Sequence, residues 1–259
     1  MGATERDHRL AAELAAEAGA LLLDLRARLS AQGCDVESLK EQGDQRSHEF
    51  LVGRLSDAMP EDAVLSEEGA DDPARLASER VWIIDPLDGT REYGEPPRAD
   101  WAVHVALVER GRPIAGAVAL PAQRLVLATN PPPHLPADPP ARPRVIVSRS
   151  RPPAIGSHLA NELDADLVTM GSAGAKASAV ILGAAEVYAH AGGQHEWDSC
   201  APVAVALAAG LHATRLDGSP LTYNHPDPYL PDLLICHPDL AERALEAVAS
   251  FLPGTTARG

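Results

Sequence analysis

The sequence predicts an α+β unit followed by a layered α/β unit, two halves of different style. Three observations carry this. Two stretches with apolar residues at helical spacing lead into a group of short β-rich runs. A proline-rich stretch, Pro131 to Pro143, then interrupts the chain as neither sheet nor helix interior. Beyond it, strand and helix patterns alternate, which argues for a mostly parallel or mixed sheet covered by helices. The division falls at 1–135 and 144–259, and 259 residues suffice for one large domain or two ordinary ones.

From Asp7 to Leu29, apolar side chains at Leu10, Leu14, Ala18, Leu21, Leu25 and Leu29 predict an amphipathic helix. Gly33 to Gly43 reads as a loop carrying Lys40. A second helix is expected from Asp44, as N-cap, to Ala58. Pro60 ends it, and Ala63 to Leu65 reads as a strand. Val81 to Ile84 is a second, buried strand. Trp101 to Val108, Pro113 to Leu120 and Leu125 to Thr129 read as three antiparallel strands with turns at Gly111 and Pro121. In the second half, strands are expected at Val145–Val147, Leu167–Thr169, Val187–Ala189, His212–Thr214 and Leu233–Ile235. Helices are expected at Ala154–Leu163, Gly174–Leu182, Ser199–Ala209 and Asp239–Leu252, with Asp198 as the N-cap of the third.

Composition excludes several classes of function. Hydrophobic residues are 45% of the chain, so global disorder is excluded, while aromatics at 3% cannot build a base-stacking platform. A net charge of −15 disfavours nucleic-acid polymers and anionic membranes. A small anionic substrate stays compatible if bound metal ions reverse the local sign. Cys34, Cys200 and Cys236 show neither a disulfide framework nor a zinc spacing. With a polar N-terminus and no apolar run of membrane-spanning length, the chain reads as soluble and cytoplasmic.

The chemistry concentrates at strand ends. Asp85 and Asp88 leave a buried strand, and carboxylates in such a place need a cation. Glu67 and Glu68 end another strand, and Asp198 opens a distant helix. Together Glu67, Asp85, Asp88 and Asp198 offer hard oxygen ligands for two or three Mg²⁺, an arrangement suited to phosphoryl transfer. Gly89-Thr90 offers free N–H groups to a phosphate if a helical turn begins there, and Thr90 with Asp44 could orient and deprotonate a water. Each acid also has a plainer reading, as a polar turn or a helix cap.

Ser66-Glu67-Glu68, Asp85-Pro86-Leu87-Asp88-Gly89-Thr90 and Trp197-Asp198 resemble the signatures of the Mg²⁺-dependent, lithium-sensitive phosphatases of the inositol monophosphatase superfamily. The resemblance spans Leu10 to Ile235 and implies a layered αβαβα sandwich, assembled as a homodimer. It implies that Glu67, Asp85 and the Leu87 carbonyl hold one metal, that Asp85, Asp88 and Asp198 hold a second, and that a third leans on Glu67. Mg²⁺ is the implied ion, with Mn²⁺ as a substitute. Gly89 and Thr90 would receive the scissile phosphate, Asp44 and Thr90 would activate the water, and Glu68 would act from behind the metal ligands. Lys40 lies four residues before Asp44, closer than the lysine of the inositol phosphatases, so no role carries over to it.

Within the superfamily, the glutamate that binds ring hydroxyls in inositol monophosphatases is replaced by Ala191, seven residues before Asp198. Gly171-Ser172-Ala173-Gly174-Ala175-Lys176 instead resembles a stretch of the 3′(2′),5′-bisphosphate nucleotidases. There the small residues, here Ser172 and Gly174, approach the nucleotide and the lysine, here Lys176, pairs with the second phosphate. Ser148-Arg149-Ser150-Arg151 resembles their substrate side, with Arg149 as the expected contact. The nearest likeness is to CysQ-type nucleotidases of actinobacteria, in Gly193 to Asp198 and in the Tyr223 to Asp232 stretch, for which no mechanism follows. The implied reaction is hydrolysis of adenosine 3′,5′-bisphosphate, or of its 5′-phosphosulfate analogue, in sulfur assimilation. The alternatives are an inositol 1-phosphate or fructose 1,6-bisphosphate phosphatase and a silent metal-dependent binding homologue.

Overall fold

Thr4 and Asp7 open the first helix by a reciprocal cap: the Thr4 N–H donates to Asp7 at 2.8 Å and the Asp7 N–H donates to the Thr4 hydroxyl at 3.3 Å. Helix α1 (Glu5–Ala31) then runs to Gly33, whose φ of 72° is the left-handed conformation that ends it. The structure, a computed structural model, describes residues 2–136 and 138–251. Helix α2 (Val36–Ala58) begins about two turns before Asp44, because Asp35 is the cap, accepting from the Ser38 N–H at 3.0 Å. The expected loop from Gly33 to Gly43 is therefore mostly helix. Gly43 marks close packing instead: a Cβ there would lie 2.8 Å from the Tyr93 ring and 2.9 Å from Leu87.

Strands β1 (Ala63–Ser66), β2 (Arg80–Asp88), β3 (Ala102–Glu109), β4 (Arg112–Leu120) and β5 (Leu125–Ala128) form one five-stranded sheet in chain order. β1 pairs parallel with β2 and the remaining pairs are antiparallel, those among β3, β4 and β5 as expected from the sequence. A short helix, α3 (Thr90–Tyr93), follows β2. The second sheet has the order β7-β6-β8-β10-β9, built from β6 (Arg144–Ser148), β7 (Asp166–Met170), β8 (Val187–His195), β9 (His212–Thr214) and β10 (Tyr229–Cys236). β6 is parallel to both neighbours and β10 antiparallel to both of its own, so this sheet is mixed. Between the strands run α4 (Ala154–Glu162), α5 (Ala173–Ile181), α6 (Glu196–Ala208) and α7 (Ala241–Phe251). Leu252, expected at the end of the last helix, lies outside the described residues. Helix α6 starts three residues earlier than the sequence suggested, so Asp198 sits in its first turn and accepts from the His195 N–H at 2.7 Å.

The layers follow from the alternation of side chains along each strand. In β2, Trp82 and Ile84 pack with Leu14, Leu22 and Leu51 of α1 and α2, while Val81 and Ile83 face the opposite way, toward α5 and α6. The far side of that middle helical layer meets Ile146, Tyr188, Leu233 and Ile235 of the second sheet. Val145, Val147, Leu234 and Cys236 pack outward against Ile155, Leu159, Ala244 and Val248 of α4 and α7. The five layers are an αβαβα sandwich.

The Tyr223 to Asp232 stretch, silent in the sequence, now has a structural account. Glu196 accepts the Asn224 and His225 N–H groups at 2.6 and 2.8 Å, and buried Arg75 donates to Asn224 and to the His225 carbonyl at 2.7 and 2.9 Å. Arg215 forms a fork with Asp232, both contacts at 2.8 Å. These bonds moor the stretch to the first turn of α6. Capping separates Asp35 from Asp44: Asp35→Ala should lower the thermal midpoint by on the order of 2–4 °C, whereas Asp44→Asn should not lower it. Thermal unfolding followed by circular dichroism checks this; a loss at Asp44 as large as at Asp35 contradicts the assignment.

Candidate active site

Asp85 and Asp88 stand at the end of β2, and the chain turns sharply at Gly89, where φ is 86°. Side chains are disfavoured in that conformation, and a Cβ would also come within 3.0 Å of Ser172. α3 begins at Thr90, so the turn expected there is present. With Ser66 opposite Ile84 in the parallel pairing, Glu67 leaves the sheet beside Asp85. Asp198 reaches the same point from α6. Oxygens of Asp85, Asp88 and Asp198 all lie within 4.8 Å of one another.

Their electrostatics divide sharply. Burial pushes Asp85 well above the ordinary carboxylate range, reinforced by the charges of Glu67, Asp88 and Asp198. Glu67 keeps a solvent-facing surface, yet loss of surrounding water and then the charge of Asp198 push it up to about 8. Burial and the charge of Asp88 push Asp198 up to about 6. Asp88 goes the other way, to about 2: burial raises it, but His104, Ser172 and Lys176 more than reverse that.

The reason is a socket around Asp88. The Ser172 hydroxyl donates to it, as do the Ala173 N–H at 2.9 Å and the Gly174 N–H at 2.5 Å, all at the start of α5. His104 Nε2 lies 3.2 Å from the same carboxylate, and the ring is held by the Trp197 carbonyl 3.0 Å from Nδ1. Gly174 cannot carry a Cβ, which would collide with His104 Nε2 and sit 3.0 Å from Asp88. Ser172, a non-glycine residue with φ of 48°, is held in a strained conformation at this junction. His104 escaped the sequence reading because it sits inside an apolar run; only its place opposite Asp85 in the β2–β3 pairing reveals it.

Thr90 and Asp44 meet although they are far apart in sequence. Thr90 Oγ1 lies 3.3 Å from Asp44 and 3.1 Å from the Leu87 carbonyl. Loss of water, then the charge of Glu68, pushes Asp44 up to about 7, against the pull of Thr90 and Lys40. Glu68 and Lys40 share an open cleft with Asp44 and Thr90. Lys40 itself pairs with Glu37 at 2.8 Å.

A cavity of about 260 Å³ joins Asp88, Gly89, Thr90 and Asp198 to Ser172, Lys176 and the polar groups Arg151, His190 and Gln194. Lys176 is buried rather than solvated, at 4% exposure, and donates to the Gly171 carbonyl at 3.2 Å and to the Ser172 carbonyl. Arg149 is not in the lining: Glu92 and Glu95 hold its guanidinium, each at 2.8 Å. Arg151, two residues on, faces the cavity instead.

The profile of the inositol monophosphatase family matches residues 5–251. Among curated proteins, the 3′-phosphoadenosine 5′-phosphate phosphatase of Mycobacterium tuberculosis is 53% identical over 242 residues, covering 90% of each chain. The 3′(2′),5′-bisphosphate nucleotidase CysQ of Escherichia coli is 31% identical over 200 residues, 72% of this chain and 80% of that one. Among solved structures, CysQ from Bacteroides thetaiotaomicron superposes with a TM-score of 0.74 at 25% identity, covering 90% of this chain and 97% of that one. Inositol monophosphatase II of Staphylococcus aureus, 20% identical with a TM-score of 0.78 over 96% of each chain, shares the fold. The chain belongs to the inositol monophosphatase family.

Proposed function

We propose that this protein is a metal-dependent phosphomonoesterase that hydrolyses adenosine 3′,5′-bisphosphate to AMP and phosphate, and accepts the 5′-phosphosulfate analogue. The observation that carries the substrate is a single cavity lined by Asp88 and Asp198 of the three-carboxylate cluster and by the buried ammonium of Lys176. The cluster suits a phosphate that arrives with cations, and the fixed ammonium suits a second phosphate. The names of the mycobacterial and CysQ relatives support the same substrate class.

The cluster also fits a metal. Its donors are hard oxygens, and the upward shifts of Asp85, Glu67 and Asp198 come from burial and then from mutual repulsion, both of which a cation relieves. Glu67, Asp85 and the Leu87 carbonyl would hold one Mg²⁺, and Asp85, Asp88 and Asp198 another, with Glu67 available to a third; Mn²⁺ would substitute. When bound, the ions supply neutralisation of the phosphate, a more acidic water and a stabilised leaving oxygen.

The chain's own groups do the rest. The Gly89 and Thr90 N–H groups orient the scissile phosphate. Thr90 takes a proton from the attacking water as its own passes to Asp44, whose upward shift suits a base near neutral pH. Glu68 sustains that shift by its charge. The water oxygen bonds to phosphorus, the bond to the ribose 3′-oxygen breaks, and that oxygen takes up a proton. Ser172 and Gly174 keep Asp88 ionised, and Lys176 holds the 5′-phosphate. Arg149 belongs to the pocket wall through Glu92, which lines the cavity. The halves 1–135 and 144–259 each supply part of this site. No described helix is long and apolar enough to cross a membrane. We place the enzyme in the cytoplasm as a homodimer, with a small phosphorylated nucleotide as its partner and no role for nucleic-acid polymers or membranes.

Phosphate release from a panel of adenosine 3′,5′-bisphosphate, inositol 1-phosphate and fructose 1,6-bisphosphate, with Mg²⁺ and with or without lithium, tests the proposal. Preference for the nucleotide and inhibition by lithium are expected; preference for a sugar phosphate overturns the substrate. Asp198→Asn should lower turnover by at least about 100-fold while the fold is retained. Lys176→Ala should raise KM for the bisphosphate by about 10- to 100-fold and leave adenosine 3′-monophosphate nearly unaffected. Equal losses on both substrates would contradict its role.

The pH dependence follows from the raised carboxyls. Between the ordinary carboxylate values near 4 and the native values of about 6 to 8, the metal-free fold holds more protons than the unfolded chain. Stability without metal should therefore fall as pH rises across that window. Mg²⁺ should raise the thermal midpoint more at pH 8 than at pH 5.5. A midpoint shift that is larger at the lower pH would contradict this.

A further inference from the structure

Lys176 offers three N–H donors, and two are engaged by the Gly171 and Ser172 carbonyls. The third is left for the cavity that the side chain lines. A four-carbon stem is flexible, and an ammonium taken out of water is drawn back toward it. What closes the remaining side is an aromatic face: Nζ lies 5.4 Å from the centroid of the Tyr188 ring, within the range at which a cation is attracted to a π system. Tyr188 is fully buried on β8. Its hydroxyl accepts from Gln194 Nε2 at 2.9 Å, which fixes the ring, and Gln194 itself lines the cavity.

We infer that Tyr188 is a positioning residue that sets the preference for a substrate with a second phosphate, by holding the Lys176 ammonium in place with the face of its ring. The inference rests on the bisphosphate reading above and deepens it. Tyr188 does not touch the reacting atoms. With two carbonyls and the ring engaged, the third N–H is free to serve the cavity, so a 5′-phosphate meets a donor that is already held. A substrate without that phosphate makes no use of it.

Tyr188 is also part of the packed layer between the two sheets, so a test must separate the volume of the ring from its π electrons. Replacing Tyr188 with phenylalanine and then with phenylalanines of increasing ring fluorination, in the full chain with Mg²⁺, does so at nearly constant volume. KM and kcat are measured on adenosine 3′,5′-bisphosphate and on adenosine 3′-monophosphate. Tyr188→Phe keeps the π face but loses the Gln194 bond, so it is the reference against which the fluorinated rings are read. KM for the bisphosphate should then climb with fluorination, by about 3- to 30-fold at the most fluorinated ring, while kcat and the monophosphate values stay within about twofold. A flat KM series, equal effects on both substrates, or a falling KM overturns the role of Tyr188 and leaves the bisphosphate reading standing. Failure of the unmodified chain to release phosphate from the bisphosphate overturns that reading and the inference with it.

Discussion

The carboxylate of Asp88 ties the first sheet of this protein to the helical layer between the sheets. It leaves the end of β2 in the first sheet and is received by the first turn of α5, which belongs to the second half. An ionised carboxylate buried this far is tolerable only with close donors, and a helix N-terminus provides backbone N–H groups that have no other partner. The same contact dictates the neighbouring residues. Gly174 has no room for a side chain beside His104, and Ser172 is bent into a left-handed φ so that its hydroxyl reaches Asp88 while still accepting from the Ala175 N–H at 2.9 Å.

The neighbouring acids receive fewer donors: Asp85 accepts the Leu87 N–H at 3.1 Å and Asp198 the His195 N–H at 2.7 Å. His104 and Lys176 pull both Asp88 and Asp198 downward, and at Asp88 the hydrogen bonds of His104 and Ser172 add to that pull. Asp85 and Glu67 lie together, and burial followed by the charges of the neighbouring acids pushes both upward. One carboxylate is thus locked in the ionised state while three around it are held back from ionising. That asymmetry is the physical basis for metal dependence in such a cluster: the protein supplies the geometry and leaves the charge to be balanced from outside.

The middle helical layer has a second duty beyond packing. α6 carries Asp198, and its first turn is moored by Glu196 to the Asn224 and His225 backbone and, through them, to buried Arg75. A chain of hydrogen bonds from the first half to the far strand therefore sets where Asp198 points. The Tyr223 to Asp232 stretch is a brace, which explains why its composition suggested no chemistry.

The sequence by itself determined the layered class, the strands of the first sheet, and the acids of Asp85-Pro86-Leu87-Asp88-Gly89-Thr90, because period-2 alternation and strand-end carboxylates are local signals. It misplaced the start of α2, since Gly43 looks like a loop residue until Tyr93 and Leu87 are seen to need the space. Tertiary structure alone decided which acids meet, that His104 belongs with Asp88, and that Arg151 rather than Arg149 faces the cavity. It alone placed Lys176 as a buried cation against Tyr188. These are contacts between residues distant in the chain, and their energies depend on burial and on neighbouring charge, which no local pattern of residues encodes.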